Sequence, residues 1–423
     1  MNHEKFYNTL GDMKNFRLLV TVFVMLAICS KVFAQSPPEK LTLANDPLRL
    51  AVGFFKTEIT SDRSVDMFGY PFEMRPGNDG ALDPLYVRAT ALKSDGKPAV
   101  MISFDLCVLP TEWALAFRQK VADTLKIGVE RVLVSTTHTH AGPMYTPEYL
   151  KSIEDRAIET ARKAAVMVFP VTAWVRESAL GLGYNRRVLV NGKSRPCWNP
   201  EINTDLVPDE MPDPTLSLLA FRQINGPRQY WVWSLGVHSV TLGQGNRLMS
   251  GDFSSVANTQ LEKEFPDAHA MFLLGPAADV NPWISSQDPQ NVERMARAAS
   301  SFIGVLQRGV RPVHADKTPG LACASKKVIV GKTTLDITMW RLGDVWIAAA
   351  PVELFSELGA SLREKLNAPV VWATVTNGWH DYWPTGKAMS EGGYEPSQVP
   401  AGFTAGDGEK LIEEMVRLAE TIK

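Results

Sequence analysis

The sequence predicts an α/β fold of layered, mixed sheets with flanking helices, forming a single large domain over residues 48–423. Three observations carry this. Apolar runs of strand length alternate with helix-length stripes through much of the chain, the pattern of layered α/β domains. Hydrophobic residues make up 45% of 423 positions, enough to bury a large core. From Leu48 onward no linker, repeat or low-complexity tract interrupts the pattern.

The elements follow in order. Pro98–Leu109 (PAVMISFDLCVL) reads as a buried strand. A helix follows over Thr111–Leu125, with Thr111 suited to the N-cap and Ala114, Phe117, Val121 and Leu125 along one stripe. Arg131–Thr136 is a strand, Tyr149–Phe169 a long helix and Tyr230–Val237 a strand. Next come a helix over Ser254–Phe265, a strand over Ala270–Leu274 and a helix over Val292–Leu306. Val345–Ala350 and Val370–Val375 are strands around a helix at Leu354–Leu366, and a helix over Gly408–Ile422 closes the chain. The Pro-rich stretch Pro196–Pro214 is the best internal break, either a domain boundary or a long loop over a site.

The first 47 residues differ from the rest. Lys14 and Arg17 precede the apolar run Leu18–Ser30, and Val32-Phe33-Ala34 forms a small-residue cleavage site, the layout of a secretory signal peptide over residues 1–34. Met13 offers a second start, because Met1–Asp12 lacks the character of a leader's first region. A membrane anchor fits less well, the run being short for a span. Lipidation at Cys29 suits the bulky Ile28 poorly. Residues 35–47 read as a flexible lead-in. The chain is thus expected to be exported, periplasmic or secreted, with no membrane span in its mature form. The three cysteines beyond the leader, Cys107, Cys197 and Cys323, cannot all pair and lack CxxC spacing, so they read as small apolar residues. Lys and Arg total 44 against 46 Asp and Glu, which gives no basic excess for a nucleic-acid partner.

Several predicted strands run into polar residues: His138, Thr139 and His140; His238; Asp279 and Asn281; Glu353; and His380, Asp381 and Tyr382. Ligands of open α/β sheets bind beyond the carboxyl ends of strands, so parallel neighbours would bring these groups to one pocket. His138 and His140, two apart on an extended segment, would face the same side. Imidazole is the commonest metal ligand, yet such a pair also occurs as ordinary hydrogen-bonded histidines, and Glu353 at a helix start also serves the helix dipole.

Beyond these residues the sequence resembles the neutral, non-lysosomal ceramidases. STTHTHAGP (Ser135–Pro143) is similar to their THTHSGP signature. AVGFFKTEIT with MFGY (Ala51–Tyr70), Leu85–Ala91, Phe104-Asp105-Leu106 and GYNRR (Gly183–Arg187) are similar to other family segments. So are HSVTLGQGNRLMSGDF (His238–Phe253), GPAADVNP (Gly275–Pro282), APVELFSELGASLRE (Ala350–Glu364) and DYWPTGKAMSEGGYE (Asp381–Glu395). The resemblance spans the chain from about residue 48 and is to the catalytic domain alone, as in a short bacterial-type member. Ceramidases of this type continue into a C-terminal β-sandwich, whereas this sequence ends one helix after the second tyrosine segment.

The resemblance implies a zinc-dependent hydrolase that cleaves an acyl amide, or ester, with zinc-activated water. It implies one Zn2+ per chain, with His138, His238, Glu353 and Tyr382 as ligands. His140 and Tyr394 become donors to the substrate carbonyl, and Arg186 lies near the reacting group. Asp279 orients a neighbour or moves a proton. Asn281 stands where the family has serine, and an amide is not an activatable hydroxyl. The substrate is then a small-molecule acyl amide or ester, either an N-acyl lipid such as ceramide or, on the same zinc site, an acylated sugar or small metabolite. Trp198, Trp283, Trp379 and Trp383 are placed to flank the site as stacking faces, acyl-pocket walls or ordinary packing. A non-catalytic zinc or ligand-binding protein and a two-metal phosphatase are the readings from other classes, the latter normally richer in carboxylates.

Overall fold

The computed structural model describes residues 48–423 apart from 71–74, 95, 209, 286–287 and 316–319. The expected signal peptide (1–34) and lead-in (35–47) lie outside the described residues. The chain enters on β1 (Ala51–Glu58), the short β2 (Met67–Phe68), and the hairpin of β3 (Tyr86–Ser94) and β4 (Lys97–Phe104). Helix α1 (Thr111–Leu125) has the expected bounds and buries Ala114, Phe117 and Val121 of the expected stripe. Its expected N-cap is corrected: Pro110 holds that position. Thr111 Oγ1 instead donates to the Trp379 carbonyl at 3.0 Å and accepts the Trp379 amide at 3.1 Å, tying the helix to a distant loop.

Strand β5 (Val132–Thr136) and the short β6 (Gly142–Pro143) lead to α2 (Pro147–Val166). Thr146 caps α2 by accepting from the Tyr149 amide, and Pro147 sits where a missing N–H costs nothing. The helix ends before Phe169, which already opens β7 (Phe169–Ala179). Then come β8 (Gly183–Asn185), β9 (Arg187–Val190), β10 (Lys193–Pro196), β11 (Thr215–Gln223) and β12 (Gln229–Leu235). Helix α3 (Asp252–Glu264), β13 (Ala268–Leu274), β14 (Val280–Pro282) and α4 (Pro289–Leu306) follow. The strands β15 (Arg311–Pro312), β16 (Leu321–Val330), β17 (Thr333–Leu342), β18 (Val345–Ala349) and β19 (Glu353–Leu354) precede α5 (Ser356–Leu366). The chain closes with β20 (Val370–Ala373), β21 (Tyr382–Trp383), α6 (Gly386–Glu391), α7 (Tyr394–Ser397) and α8 (Asp407–Glu420).

Strand alternation sorts the side chains into layers. In β4, Ala99 and Met101 face one core while Val100, Ile102 and Phe104 face another. Likewise Val232 of β12 and Ile347 of β18 point opposite to their neighbours Trp233 and Trp346. The central core joins the inner faces of two sheets, for example Met101, Val232 and Met271 against Trp340, Ile347 and Val371. Helices α1 and α2 cover one outer region of the larger sheet through Phe117 and Ile153. Helices α3 and α4 cover another through Phe253 and Met295. Helices α5 and α8 cover the smaller sheet through Leu362 and Met415. The result is a four-layer α/β/β/α sandwich, the layered mixed architecture expected. Burying each large apolar side chain contributes roughly 1.5–3 kcal/mol.

The larger sheet has nine strands in the order β13-β12-β11-β7-β1-β3-β4-β5, with β15 paired to β7. The smaller has four, β16-β17-β18-β20. Parallel pairing is confined to β4–β5, β12–β13, β18–β20 and β19–β21 among the described strands. The condition that the polar-ended strands be parallel neighbours holds for β12–β13 and for β18–β20 but is corrected for β5, which lies at one edge of the large sheet while β12 and β13 lie at the other. What unites them is the segment after β20. The Thr374 amide donates to the Leu274 carbonyl at the end of β13 (2.8 Å), and the Asn377 amide donates to Val134 in β5 (2.7 Å). Three residue steps span about 10 Å at most, so the two edges of the sheet end side by side.

Gly236 follows β12 directly and stands against the Pro276 backbone; a Cβ there would lie 2.2 Å from the Pro276 carbonyl oxygen. Backbone on both sides cannot yield as a flexible side chain would. Gly236→Ala is expected to cost about 1–3 kcal/mol, seen as a lower urea midpoint at unchanged slope. An unchanged midpoint would show that the crossing is looser than the geometry indicates.

Candidate metal centre

The two histidine loops are locked together by a parallel bridge, Thr139 to Ser239. The His140 amide donates to the Ser239 carbonyl at 3.1 Å, and Ser239 Oγ donates to the Thr137 carbonyl at 3.1 Å. That register sets His138 beside His238. The expectation that His138 and His140 share a side holds, but its reason is corrected. His138 is not extended; its φ is +59°, in the left-handed region. The turn brings the two Nε2 atoms to 3.3 Å. Asp381 (φ +51°) and the β-branched Val375 (φ +50°) adopt the same unusual conformation nearby, the kind of backbone that collects at functional sites.

Glu353 arrives on β19, which pairs in parallel with β21 so that Glu353 sits opposite Tyr382. Its Oε2 lies 3.3 Å from His238 Nε2 and 3.5 Å from His138 Nε2. Its Oε1 accepts the Trp379 indole N–H at 3.0 Å. All three groups are buried. His138 Nδ1 faces the Cys107 carbonyl at 2.8 Å, and His238 Nδ1 faces the Ala277 and Val280 carbonyls at 2.6 and 3.1 Å. A carbonyl only accepts, so each Nδ1 carries a proton, and in the neutral ring each Nε2 is left to present a lone pair. Two imidazole lone pairs and a carboxylate oxygen thus converge within 4.8 Å of one another. His238 Nε2 and Glu353 Oε2 have no hydrogen-bond partner among the described residues. Such an arrangement is repulsive unless positive charge lies at its centre, and two nitrogens with one oxygen suit zinc. The protein's own charges respond accordingly. Burial works to raise the Glu353 carboxyl, but the two imidazoles hold it well below the usual range. Burial works to lower His138, but Cys107 and Glu353 beside it carry it well above an ordinary imidazole. His140 falls well below through burial and the neighbouring imidazoles, so it is neutral.

Tyr382 sits opposite Glu353 in the β19–β21 pair, its phenol raised well above the usual value by burial and then by Glu353. Tyr394 packs edge-on against it, with ring centroids 5.6 Å apart. The Arg186 guanidinium lies 5.8 and 5.6 Å from these two rings and 5.1 Å from that of Trp198. Arg186 Nε donates to Glu395 at 2.8 Å and Nη1 donates to Asn281 Oδ1 at 3.1 Å. Its buried Nη2 has no hydrogen-bond partner among the described residues, which ordinarily costs about 1–3 kcal/mol. Asn281 Nδ2 donates to the Trp198 carbonyl at 3.1 Å, so the amide links Arg186 to the Pro-rich stretch. That stretch is a loop at the site's mouth, not a domain boundary. Cys197 and Leu206 anchor it on Tyr184 and Val188, while Trp198 remains 42% exposed.

Asp279 is placed differently from the groups above. Its carboxylate accepts from Asn185 Nδ2 at 3.0 Å and from the Ser356 amide and hydroxyl at 2.9 and 3.0 Å, while its own carbonyl accepts the Arg186 amide at 2.8 Å. It is a brace beneath the site, joining β14, β8 and α5. Trp283 stacks obliquely on Tyr184 and is 40% exposed. Trp383 does not flank the site; it is fully buried in the α5–α8 core. The three described cysteines are all free. Sequence reasoning missed Glu395 and Arg187, although both immediately follow residues it singled out, Tyr394 and Arg186. It also missed Arg75, whose Nη2 donates to the His140 carbonyl at 2.6 Å, and Tyr70, which stands edge-on to the His140 ring.

This architecture is that of the neutral ceramidases. The chain superposes on a ceramidase in complex with C2 at a TM-score of 0.73, with 16% identity, over 88% of this chain and 76% of that one. It superposes on the neutral ceramidase of Pseudomonas aeruginosa at 0.72, again with 16% identity, over 88% and 75% of the two chains. No family model matches the sequence, and no curated protein matches it.

Behind the histidine loop a second polar layer holds its backbone. Thr139 Oγ1 donates to the Ser250 carbonyl at 2.7 Å, and the Asp83 carboxylate accepts from Ser250 Oγ and from the Gly251 amide at 2.9 Å. Burial pushes the Asp83 carboxyl up to about 7, with Asp105 and Asp252 adding to it and the two hydrogen bonds opposing it. A raised carboxyl pKa means that the folded state holds a proton which the unfolded chain releases near pH 4. Stability is therefore full below that value and is lost as pH rises through about 7. Asp83→Asn is expected to flatten the fall in stability between pH 5 and 8 by about 1–3 kcal/mol. Parallel profiles for the two proteins in urea unfolding would count against it.

Proposed function

We propose that this chain is a zinc-dependent, ceramidase-like hydrolase of acyl amides or esters, with one zinc held by His138, His238, Glu353 and Tyr382. The observation that carries the reading is the convergence of two imidazole lone pairs and a buried carboxylate oxygen on one point. Zinc held there supplies Lewis acidity and lowers the pKa of water toward neutrality. The chain's residues do the rest. Carbonyl acceptors at Nδ1 fix both ring orientations, and Trp379 turns Glu353 so that Oε2 faces the histidines.

Neutral His140, Tyr394 and the free Nη2 of Arg186 supply donors around the carbonyl to be cleaved. Preorganised donors of this kind stabilise a developing oxyanion by about 3–4 kcal/mol each. Asp279 acts as the brace that sets Arg186 and α5, and Asn281 as the amide that joins Arg186 to the mouth loop. Neither is assigned a proton transfer. The exposed faces of Trp198 and Trp283 favour a second substrate reading on the same centre, an acylated sugar that stacks at the mouth. The leader sequence supports an exported enzyme, periplasmic or secreted. Among the described residues no helix is long and apolar enough to cross a membrane.

Full-length protein would be analysed for zinc and tested on N-acyl sphingosine, N-acetyl sugars and simple acyl esters. Wild type is expected to hold one zinc and release an acyl group, and the substrate turned over distinguishes lipid from sugar. His238→Ala should lose the metal and all turnover. Tyr394→Phe should keep the metal while kcat falls about 10²–10³-fold. Well-folded wild type without zinc would refute the centre, and zinc without turnover of any substrate would favour the binding-protein reading.

A further inference from the structure

Beyond the metal centre, the most heavily charged buried cluster adjoins it. Glu395 has a side chain only 1% exposed and lies between two guanidiniums: Oε1 accepts from Arg186 Nε and Oε2 accepts from Arg187 Nη1, each at 2.8 Å. Arg187 is anchored in turn. Its Nη2 donates to Glu391 at 3.2 Å and to the Gly392 and Ala388 carbonyls at 3.0 and 3.4 Å. Two arginines and two glutamates therefore form a chain in which every charge is offset.

Two consequences follow for the end of that chain that reaches the site. Arg186 is held from behind through Nε, so its unpaired Nη2 is fixed in direction. Its positive charge is also already answered. A guanidinium matched by a buried carboxylate can donate to a neutral carbonyl, but it holds less surplus field for a substrate anion, because Glu395 behind it opposes its attraction.

We propose that Glu395 is the positioning residue that aims Arg186 at the reacting carbonyl, and that by neutralising Arg186 it restricts the site to acyl compounds uncharged next to the scissile bond. The inference rests on the acyl-hydrolase reading above and assigns to that site a charge class of substrate. Arg187 and Glu391 keep Glu395 in place. Removing the Glu395 charge leaves Arg186 with a surplus positive charge facing the site, so anionic acyl compounds gain most.

The test is binding by calorimetry, which gives a signal even where turnover is absent. The probes are an N-acylethanolamine and an N-acylglycine of the same chain length. Wild type is expected to bind the neutral probe about tenfold more tightly than the anionic one. Glu395→Gln should close most of that gap, whereas Glu395→Asp, which keeps the charge and shortens the reach, should weaken both probes and preserve it. Glu391→Gln, nearer the surface at 16% exposure, should shift the ratio in the same direction by about twofold to threefold, and it serves if the buried variant fails to fold. A residue that mattered only for folding would weaken both probes alike and leave the ratio where it was. An unchanged ratio in folded Glu395→Gln, or in Glu391→Gln if the former does not fold, overturns the proposal. So does a wild type that prefers the anion. If wild type binds neither probe and cleaves no acyl substrate, the hydrolase reading itself falls, and this inference with it.

Discussion

The site depends on a short run of backbone hydrogen bonds. The segment from Thr374 to Asn377 takes the carbonyl ends of β13 and β5, the two edges of the nine-stranded sheet, and joins them. Val134 strengthens the join by donating its amide to the Asn377 side chain at 3.0 Å. The same segment also bonds toward β19, with Val375 donating to Val352 and Thr376 to Ala350. One short stretch thus fixes the strand end that precedes His138, the end of β13 beside the strand that leads to His238, and the strand that carries Glu353. Edges of an open sheet have no reason to meet; here the unpaired groups of two edges are satisfied by a third segment, as buried backbone requires.

A polar centre placed at that junction is surrounded by apolar layers on several sides, which gives its electrostatics their force. Burial penalises every charged form, and the partners decide whether the penalty is overcome: imidazoles do so for Glu353, Glu395 does so for Arg186, and nothing does for His140. Low dielectric also makes an unpaired group expensive. The unpaired atoms at the site, His238 Nε2, Glu353 Oε2 and Arg186 Nη2, therefore mark where the protein has kept bonding capacity for something other than itself.

Much of the fold was legible in the sequence, for a physical reason that also explains the gaps. Strands such as Val132–Thr136 and Val370–Ala373 lie between two cores and read as unbroken apolar runs, and the helices betray themselves by stripes such as Ala114, Phe117 and Val121. The long antiparallel strands were missed. Leu321–Val330 and Phe169–Ala179 carry Lys, Arg, Ser and Glu among their apolar residues, and their β character comes from pairing with distant partners. For the site, family resemblance pointed to His138, His238, Glu353, Tyr382, Arg186 and Tyr394, which the structure brings together. It could not anticipate the left-handed turn at His138, because side-chain patterns say nothing about the sign of φ. Nor did it reveal Glu395, whose importance lies in being enclosed by two arginines rather than in any motif.

The proposed ligand set has a consequence for how the protein is made. His138, His238, Glu353 and Tyr382 are far apart in sequence, and the junction that unites them is laid down by Thr374–Asn377, after the first three of them. The residues before that junction hold only a fraction of the centre, so a metal bound there would not nucleate folding as it does in a small finger domain. Tight metal retention would instead be a property of the folded molecule. Loading would then act as a quality mark that separates correctly assembled chains from misassembled ones.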